Sequence, residues 1–255
     1  MNRALQKLHV FRLRWSDLDT LPDGDKALFS LASFMVSEIN SLNRMLLFTI
    51  FTVDDDASAE EVAAIQRNLV LRTNTLKLFE CQKTIARLAA SEDLSHKAIQ
   101  VVRAARGALE AANLLEGYSV AKAFRNKISG HYDYQQALKN TRAVSDDFEC
   151  SMYIAEESGN SFFPIGERIV FDRIIIPNSN SDLPIGPNEA SIDSWIQWSL
   201  EVGRCVRKFH FDLFETLIAP LVDGRKTRPR QVWIDPELVG KHPGFRVPLF
   251  LRADT

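Results

Sequence analysis

The chain has 255 residues, which is long enough for one large domain or two small ones with a sizeable core. Its apolar fraction of 45% and charged fraction of 25% are ordinary for a globular protein, and a formal net charge of −2 means that nucleic-acid binding would need a local basic patch. Cys81, Cys150 and Cys205 are far apart, which excludes a CxxC zinc site and a disulfide framework and fits a reducing cytosol.

A series of amphipathic helices is predicted for the first half of the chain. Apolar residues recur there at steps of three and four, which places one apolar stripe on each helix. Short polar or glycine-containing breaks separate the segments, so neighbouring helices are expected to run antiparallel. The predicted helices cover residues 26–51, 58–90, 95–116, 118–128 and 134–144.

The composition changes after residue 148. Segments 150–156 and 161–176 are rich in β-branched and aromatic residues, and the turn residues Ser158, Gly159 and Asn160 lie between them. This pattern predicts a β-hairpin at about 148–176. A loop with three prolines follows, and the next apolar stripe, which includes Trp195 and Trp198, predicts a last long helix over 189–217.

The segment from residue 223 onwards is basic at first and then mixes apolar residues with prolines, so we expect it to pack back on the body. The basic residues Arg225, Lys226, Arg228 and Arg230 suit RNA phosphates, although such a run is also common in a solvated tail. The predicted fold is therefore mainly α. It is an up-and-down helical bundle over 1–222 as a single domain, with one inserted β-hairpin and an extended tail over 223–255.

No membrane partner is expected. The longest mostly apolar stretch, near 45–53, is about half the length that a bilayer span needs. The basic N-terminal segment lacks the apolar core of a signal peptide. These features predict a cytoplasmic protein.

Segment 124–134 carries the residues best suited to chemistry. Arg125 offers a fixed fork of donors that matches phosphate oxygens, and Asn126 can both donate and accept. His131 is expected to titrate near neutral pH, which suits proton transfer. In a continuous helix six residues rotate the side-chain direction by about 240°, but Gly130 permits the helix to end, so that His131 can turn back toward Arg125.

The spacing of arginine and histidine carries little information by itself. Arg3 with His9 and Arg204 with His210 fit the same interval. Asn126 directly after Arg125 and the position late in a run of helices distinguish the segment at 125–131.

The run Arg125-Asn126-Lys127 through Gly130-His131 resembles the motif of HEPN domains, the "higher eukaryotes and prokaryotes nucleotide-binding" helical bundles, in their abortive-infection-type form. The resemblance covers about residues 26–145, and the hairpin and the tail lie outside it. It implies a metal-independent RNA endonuclease that needs no cofactor and cleaves by attack of the 2′-hydroxyl, with Arg125, Asn126 and His131 as catalytic residues. It also implies a homodimer in which two motifs face each other, and a role as a toxin or phage-defence effector with an antitoxin protein as partner.

Neighbouring residues are secondary candidates. Lys127, Tyr132, Asp133 and Tyr134 are expected to contact the substrate, with Asp133 holding the imidazole tautomer and a tyrosine stacking on a base. The chain has no HExxH motif and no glycine-rich phosphate loop, so neither a metal site nor a P-loop is predicted.

Two other interpretations stay open. One is a catalytically inactive HEPN-like module that binds a nucleotide, an RNA or a protein. The other is a solvated helix end, where Gly130 caps the helix and the basic side chains complement its dipole.

Overall fold

The computed structural model describes residues 4–10, 13–50, 57–127, 134–142, 144, 152–155, 160–171, 189–222, 228–234 and 247–249. In chain order the strands and helices are β1 (Ala4–Val10), α1 (Asp23–Thr49), α2 (Ala57–Leu88), α3 (His96–Ala112), α4 (Gly117–Lys127), α5 (Tyr134–Thr141), α6 (Pro164–Gly166), α7 (Glu189–Leu213), α8 (Ala219–Val222) and β2 (Arg228–Ile234). Short 3₁₀ and π-helical turns cover Trp15–Leu18, Glu167–Phe171 and Phe214–Ile218. The prediction of a helical bundle is confirmed, and the boundaries of its five long helices agree with the sequence within a few residues.

Helix α7 occupies the centre of the bundle and packs against α1, α2, α3 and α4. Its apolar stripe is almost completely shielded, since Trp195, Trp198, Val202 and Leu213 are 0% exposed. Trp195 also donates from its Nε1 to Thr75 Oγ1 on α2 at 2.8 Å, so the largest core side chain has its polar atom satisfied. The two tryptophans, for which the sequence suits either the core or an interface, lie in the core.

Polar contacts fix how the first three helices meet. Asp25, near the start of α1, is 1% exposed and accepts a hydrogen bond from the backbone N–H of Ser95 at 2.9 Å. The Ser95 hydroxyl accepts from the N–H of Ala98 and caps α3, as its position before the apolar stripe predicts. Farther along, Asn74 on α2 donates to Asn43 on α1 inside the core, at 3.1 Å. A buried polar pair of this kind favours one register of two packed helices.

The predicted β-hairpin is wrong in its second arm. Only one antiparallel bridge is described there, between Tyr153 and Phe162, and the chain becomes helical at Pro164. Proline fixes φ and lacks an N–H, which suits the first turn of a helix and not a paired strand. Residues 148–151, 156–159 and 172–176 of the predicted hairpin lie outside the described residues.

Ion pairs hold the helical turn after Pro164 against α2. Arg72 donates to both carboxylate oxygens of Glu167, at 2.9 and 3.4 Å, and Arg168 pairs with Glu61. These partly buried contacts require Glu167 and Arg168 to face α2 together, so tertiary pairing prevails over the strand propensity of this segment.

The two strands join distant parts of the sequence. β1 and β2 pair antiparallel, with a register that runs from Ala4 opposite Ile234 to Val10 opposite Arg228. Beyond β2, the N–H of Val247 donates to the Phe48 carbonyl at 3.3 Å, and Gln66 donates to the Pro248 carbonyl. The described residues after position 223 therefore contact both the N-terminal strand and the first two helices. Among the described residues no helix has the combination of length and apolarity required for a bilayer span.

Candidate functional site

Helix α4 positions Arg125 because its two faces have different partners. Its buried face carries Phe124, which is 0% exposed and stacks on Trp195 of α7 with ring centroids 4.4 Å apart. The next residue on a helix points about 100° away. Arg125 accordingly lies beside α2, where its guanidinium carbon is 5.7 Å from the centre of the Phe79 ring.

The start of α4 lies unusually close to α7. A Cβ atom on Gly117 would lie 1.9 Å from the backbone carbonyl oxygen of Ser194, a distance that no side chain permits. Glycine is therefore required for this close approach of α4 to α7.

Arg125 lies on the wall of a groove between α2, α3 and α4, which we call the α4 groove and which has a volume of about 430 Å³. Its lining includes Lys83 of α2, Arg106 and Glu110 of α3, and Lys122 and Arg125 of α4. The α4 groove thus has four cations and one carboxylate. That carboxylate, on Glu110, accepts a hydrogen bond from Arg106 at 2.7 Å.

The other three cations keep a net positive field in the α4 groove. Within the part of the chain that the structure describes, Lys83, Lys122 and Arg125 have no carboxylate within 4.0 Å. A concave surface with unpaired cations of one sign raises the local concentration of anions. The described geometry therefore suits a phosphate-bearing ligand.

Aromatic rings form the floor of the α4 groove. Phe79 and Tyr118 line it. Both rings pack against the buried Trp198, and the three centroids are 5.2 to 6.1 Å apart. Lys122 has its Nζ 5.7 Å from the centre of the Tyr118 ring, in the same relation that Arg125 has to Phe79. Cation–π attraction holds both basic side chains over the floor, so they are partly ordered before any ligand arrives.

Amide side chains fix the α2–α3 wall. Gln82 and Asn113 exchange two hydrogen bonds of 3.1 and 3.2 Å, and Trp198 donates from its Nε1 to Asn113 Oδ1. These hydrogen bonds connect α2 and α7 to the C-terminal end of α3. The α4 groove is therefore preorganised: its basic side chains line it without any movement of the helices.

Of the predicted catalytic residues, the structure brings together Arg125 and Asn126. Arg125 donates from Nη1 to Asn126 Oδ1 at 3.2 Å, and both residues line the α4 groove. His131 lies outside the described residues, so its approach to Arg125 stays a prediction.

The predicted binding residues have different outcomes. Lys127 is the last residue of α4, and Tyr134, the first of α5, is 72% exposed and does not line the α4 groove. Arg228 begins β2, opposite Val10. Tyr132, Asp133, Arg225 and Lys226 lie outside the described residues.

The competing pair Arg204 and His210 does not converge. Arg204 is exposed and donates to Glu201 at 2.8 Å. His210 is half-buried, lies 3.0 Å from Ser33 Oγ and stacks on Phe29 with a centroid distance of 5.3 Å. Each side chain therefore has its own structural partner, and this pair gives no second candidate site.

Sequence reasoning missed Lys83, Arg106 and Lys122. None of them belongs to a motif, and Lys83 and Arg106 reach the α4 groove from helices whose relative position the sequence does not reveal. One signal was available on α4, where Tyr118, Lys122 and Arg125 recur at steps of four and three and so share a face.

Among the described residues no group of three or more histidine, cysteine, aspartate or glutamate side chains is arranged to hold a metal ion. Comparisons of the chain with protein-family models, with curated proteins and with solved structures gave no match. The resemblance to HEPN domains accordingly rests on the residues at 125–131, of which the α4 groove contains Arg125 and Asn126.

Proposed function

We propose that the protein is a metal-independent RNA endonuclease of the HEPN type, in which Arg125, Asn126 and His131 act on the scissile phosphate. The observation that supports this proposal is the position of Arg125. Its guanidinium lies in a solvent-accessible, cationic groove next to Asn126, and the adjacent Phe124 anchors the same helix turn in the core.

In the proposed reaction the RNA 2′-hydroxyl gives its proton to the His131 imidazole and attacks the neighbouring phosphorus. A bond forms between the 2′-oxygen and phosphorus, and the bond from phosphorus to the 5′-oxygen breaks, which leaves a 2′,3′-cyclic phosphate and a 5′-hydroxyl. The leaving oxygen takes up a proton from an acid, for which His131 of a second copy in the proposed homodimer is the candidate.

The cation and the amide have separate tasks in this scheme. Arg125 stabilises the charge that develops on the phosphorane, because its guanidinium stays protonated throughout. Asn126 uses its carbonyl oxygen to accept from Arg125, which leaves the amide Nδ2 available to donate to a phosphate oxygen.

The test is cleavage of an RNA oligonucleotide by the purified protein in the presence of a chelator, with the product ends identified by mass spectrometry. We expect a 2′,3′-cyclic phosphate, and a loss of rate on the order of 100-fold or more in Arg125→Ala and in His131→Ala. Arg204→Ala and His96→Ala are matched controls, because both side chains are exposed and neither lines the α4 groove. Activity that survives in His131→Ala, or wild-type protein that leaves RNA intact, would contradict the proposal.

A further inference from the structure

We infer that the α4 groove binds the substrate as single-stranded RNA. It contacts successive backbone phosphates next to Arg125 and makes no base-specific contacts. The inference rests on the proposed function for the identity of the ligand as RNA. It adds Lys83 and Lys122, which carry no role in the motif, as the residues that hold the phosphates adjacent to the scissile one.

The charge distribution argues for more than one phosphate. Arg125 alone would suit a single phosphate at the proposed catalytic centre. Lys83 on the α2 wall and Lys122 one helical turn before Arg125 add two cations to the same groove, and neither has a carboxylate partner among the described residues. Lysine is a point charge that accepts any phosphate orientation, whereas arginine matches one geometry.

The aromatic floor argues against stacking of bases in the α4 groove. An open tyrosine or phenylalanine face would offer a stacking platform for a base. Here Arg125 covers one face of Phe79 and Lys122 covers one face of Tyr118. The α4 groove therefore presents cations where a stacking site would present rings, which favours contact with the sugar–phosphate backbone.

The size and rigidity of the α4 groove favour single-stranded RNA over duplex RNA. Its volume of about 430 Å³ is that of a small-ligand site, and the Gln82–Asn113 amide pair keeps its walls from spreading. A single strand can bend to place its phosphates inside such a cleft. A duplex holds its phosphates on a stiff convex cylinder and stays outside.

The test measures binding apart from cleavage, with fluorescence anisotropy of labelled 2′-O-methyl RNA, which lacks the attacking hydroxyl. The variant Lys83→Ala/Lys122→Ala is compared with wild type and with Lys97→Ala, whose exposed lysine on α3 does not line the α4 groove. We expect the double variant to lose affinity by the same factor on uridine, adenosine and cytidine homopolymers. The slope of log K against log salt concentration should fall by about 0.7 for each lysine removed. Duplex RNA should bind more weakly than each single strand.

The outcomes separate the two proposals. The inference would be overturned if the double variant and the wild type had equal affinity and an equal salt slope. It would also be overturned if the protein preferred duplex RNA, or one homopolymer, by more than about tenfold, which is one unit of log K. Lysine-dependent binding of the inert RNA supports the inference even if the wild type fails to cleave ordinary RNA, and that failure would count against the endonuclease alone. All three lysines are exposed, so thermal melts of the variants should match the wild type.

Discussion

Two neighbouring residues, Phe124 and Arg125, point to different sides of α4 because successive residues on a helix are about 100° apart. Phe124 fills the core against Trp195, and Arg125 is rotated out of the core to the α4 groove. The apolar residue fixes the helix, and the charged residue obtains its position from that anchor. A substitution at Phe124 is therefore expected to displace Arg125 as well as to open a cavity.

His210 predicts a dependence of stability on pH. Burial lowers the pKa of His210 below its ordinary value of 6.5. The Ser33 hydroxyl lies 3.0 Å from His210 Nε2 and 2.8 Å from the Phe29 carbonyl, so the imidazole packs against a polar group inside the bundle. The unfolded chain binds a proton more readily than the folded protein. Neutral, buried His210 therefore makes its full contribution to the free energy of unfolding above pH 6.5. That contribution is lost as the pH falls toward the pKa that His210 has in the folded protein.

The measurement is urea denaturation at a series of pH values from neutral to mildly acidic. We expect His210→Gln to lose the part of the pH dependence that lies below 6.5, since glutamine can still form a hydrogen bond with Ser33 but does not titrate. His96→Gln changes an exposed histidine and should keep that dependence. An unchanged pH profile in His210→Gln would refute the assignment.

At the scale of single residues, the sequence predicts burial and proximity where these follow from a local pattern. Trp195 and Trp198 fall on an apolar stripe, and their burial followed from it. Arg125 and Asn126 were identified as a pair from their adjacency, but Lys83 was not, because its place in the α4 groove depends on how α2 packs against α4. Such a relation between helices is a property of the tertiary structure and has no local signature.

At the scale of elements, the long helices were predictable because a period of 3.6 residues repeats over several turns within each one. The segment after Pro164 was not, since short apolar and β-branched runs suit either a strand or a helix turn. There the Arg72–Glu167 and Arg168–Glu61 ion pairs decide the outcome from a helix far away in sequence. β1 was missed for the related reason that its hydrogen-bonding partner lies near the other end of the chain.

Substitution by alanine is expected to have opposite effects on stability at two glycines. Gly117→Ala places a Cβ against the Ser194 backbone and should destabilise the protein by about 1–3 kcal/mol or more, because α4 has to move away from α7. Gly107→Ala on α3 meets no atom within 4 Å and should stabilise the helix by about 0.5–1 kcal/mol. Denaturation of both variants gives the comparison. Equal stability of the two would contradict the close approach of α4 to α7.

At the scale of the whole molecule, the β1–β2 pairing links two segments that lie far apart in the sequence. Gln6 lies opposite Val232 in the ladder, and directly opposed residues in an antiparallel pair have Cα atoms about 4.5–5.5 Å apart. Cysteines introduced at Gln6 and Val232 should therefore form a disulfide under oxidising conditions. Peptide mapping by mass spectrometry detects the bond.

A shifted pair provides the control for that experiment. Cysteines at Gln6 and Gln231 would lie on opposite faces of the ribbon, because side chains alternate along a strand, and should not form a bond with comparable yield. Equal yields for both pairs would contradict the register.

The central place of α7 has a consequence for biosynthesis. A ribosome makes the four helices that surround α7 before it makes α7 itself, so the nascent polypeptide carries an unfilled apolar trough until Trp195 to Leu213 emerges. We therefore expect native closure of the bundle late in translation or after it. Fragments that stop short of residue 189 expose the trough and should depend on chaperones to escape aggregation and proteolysis.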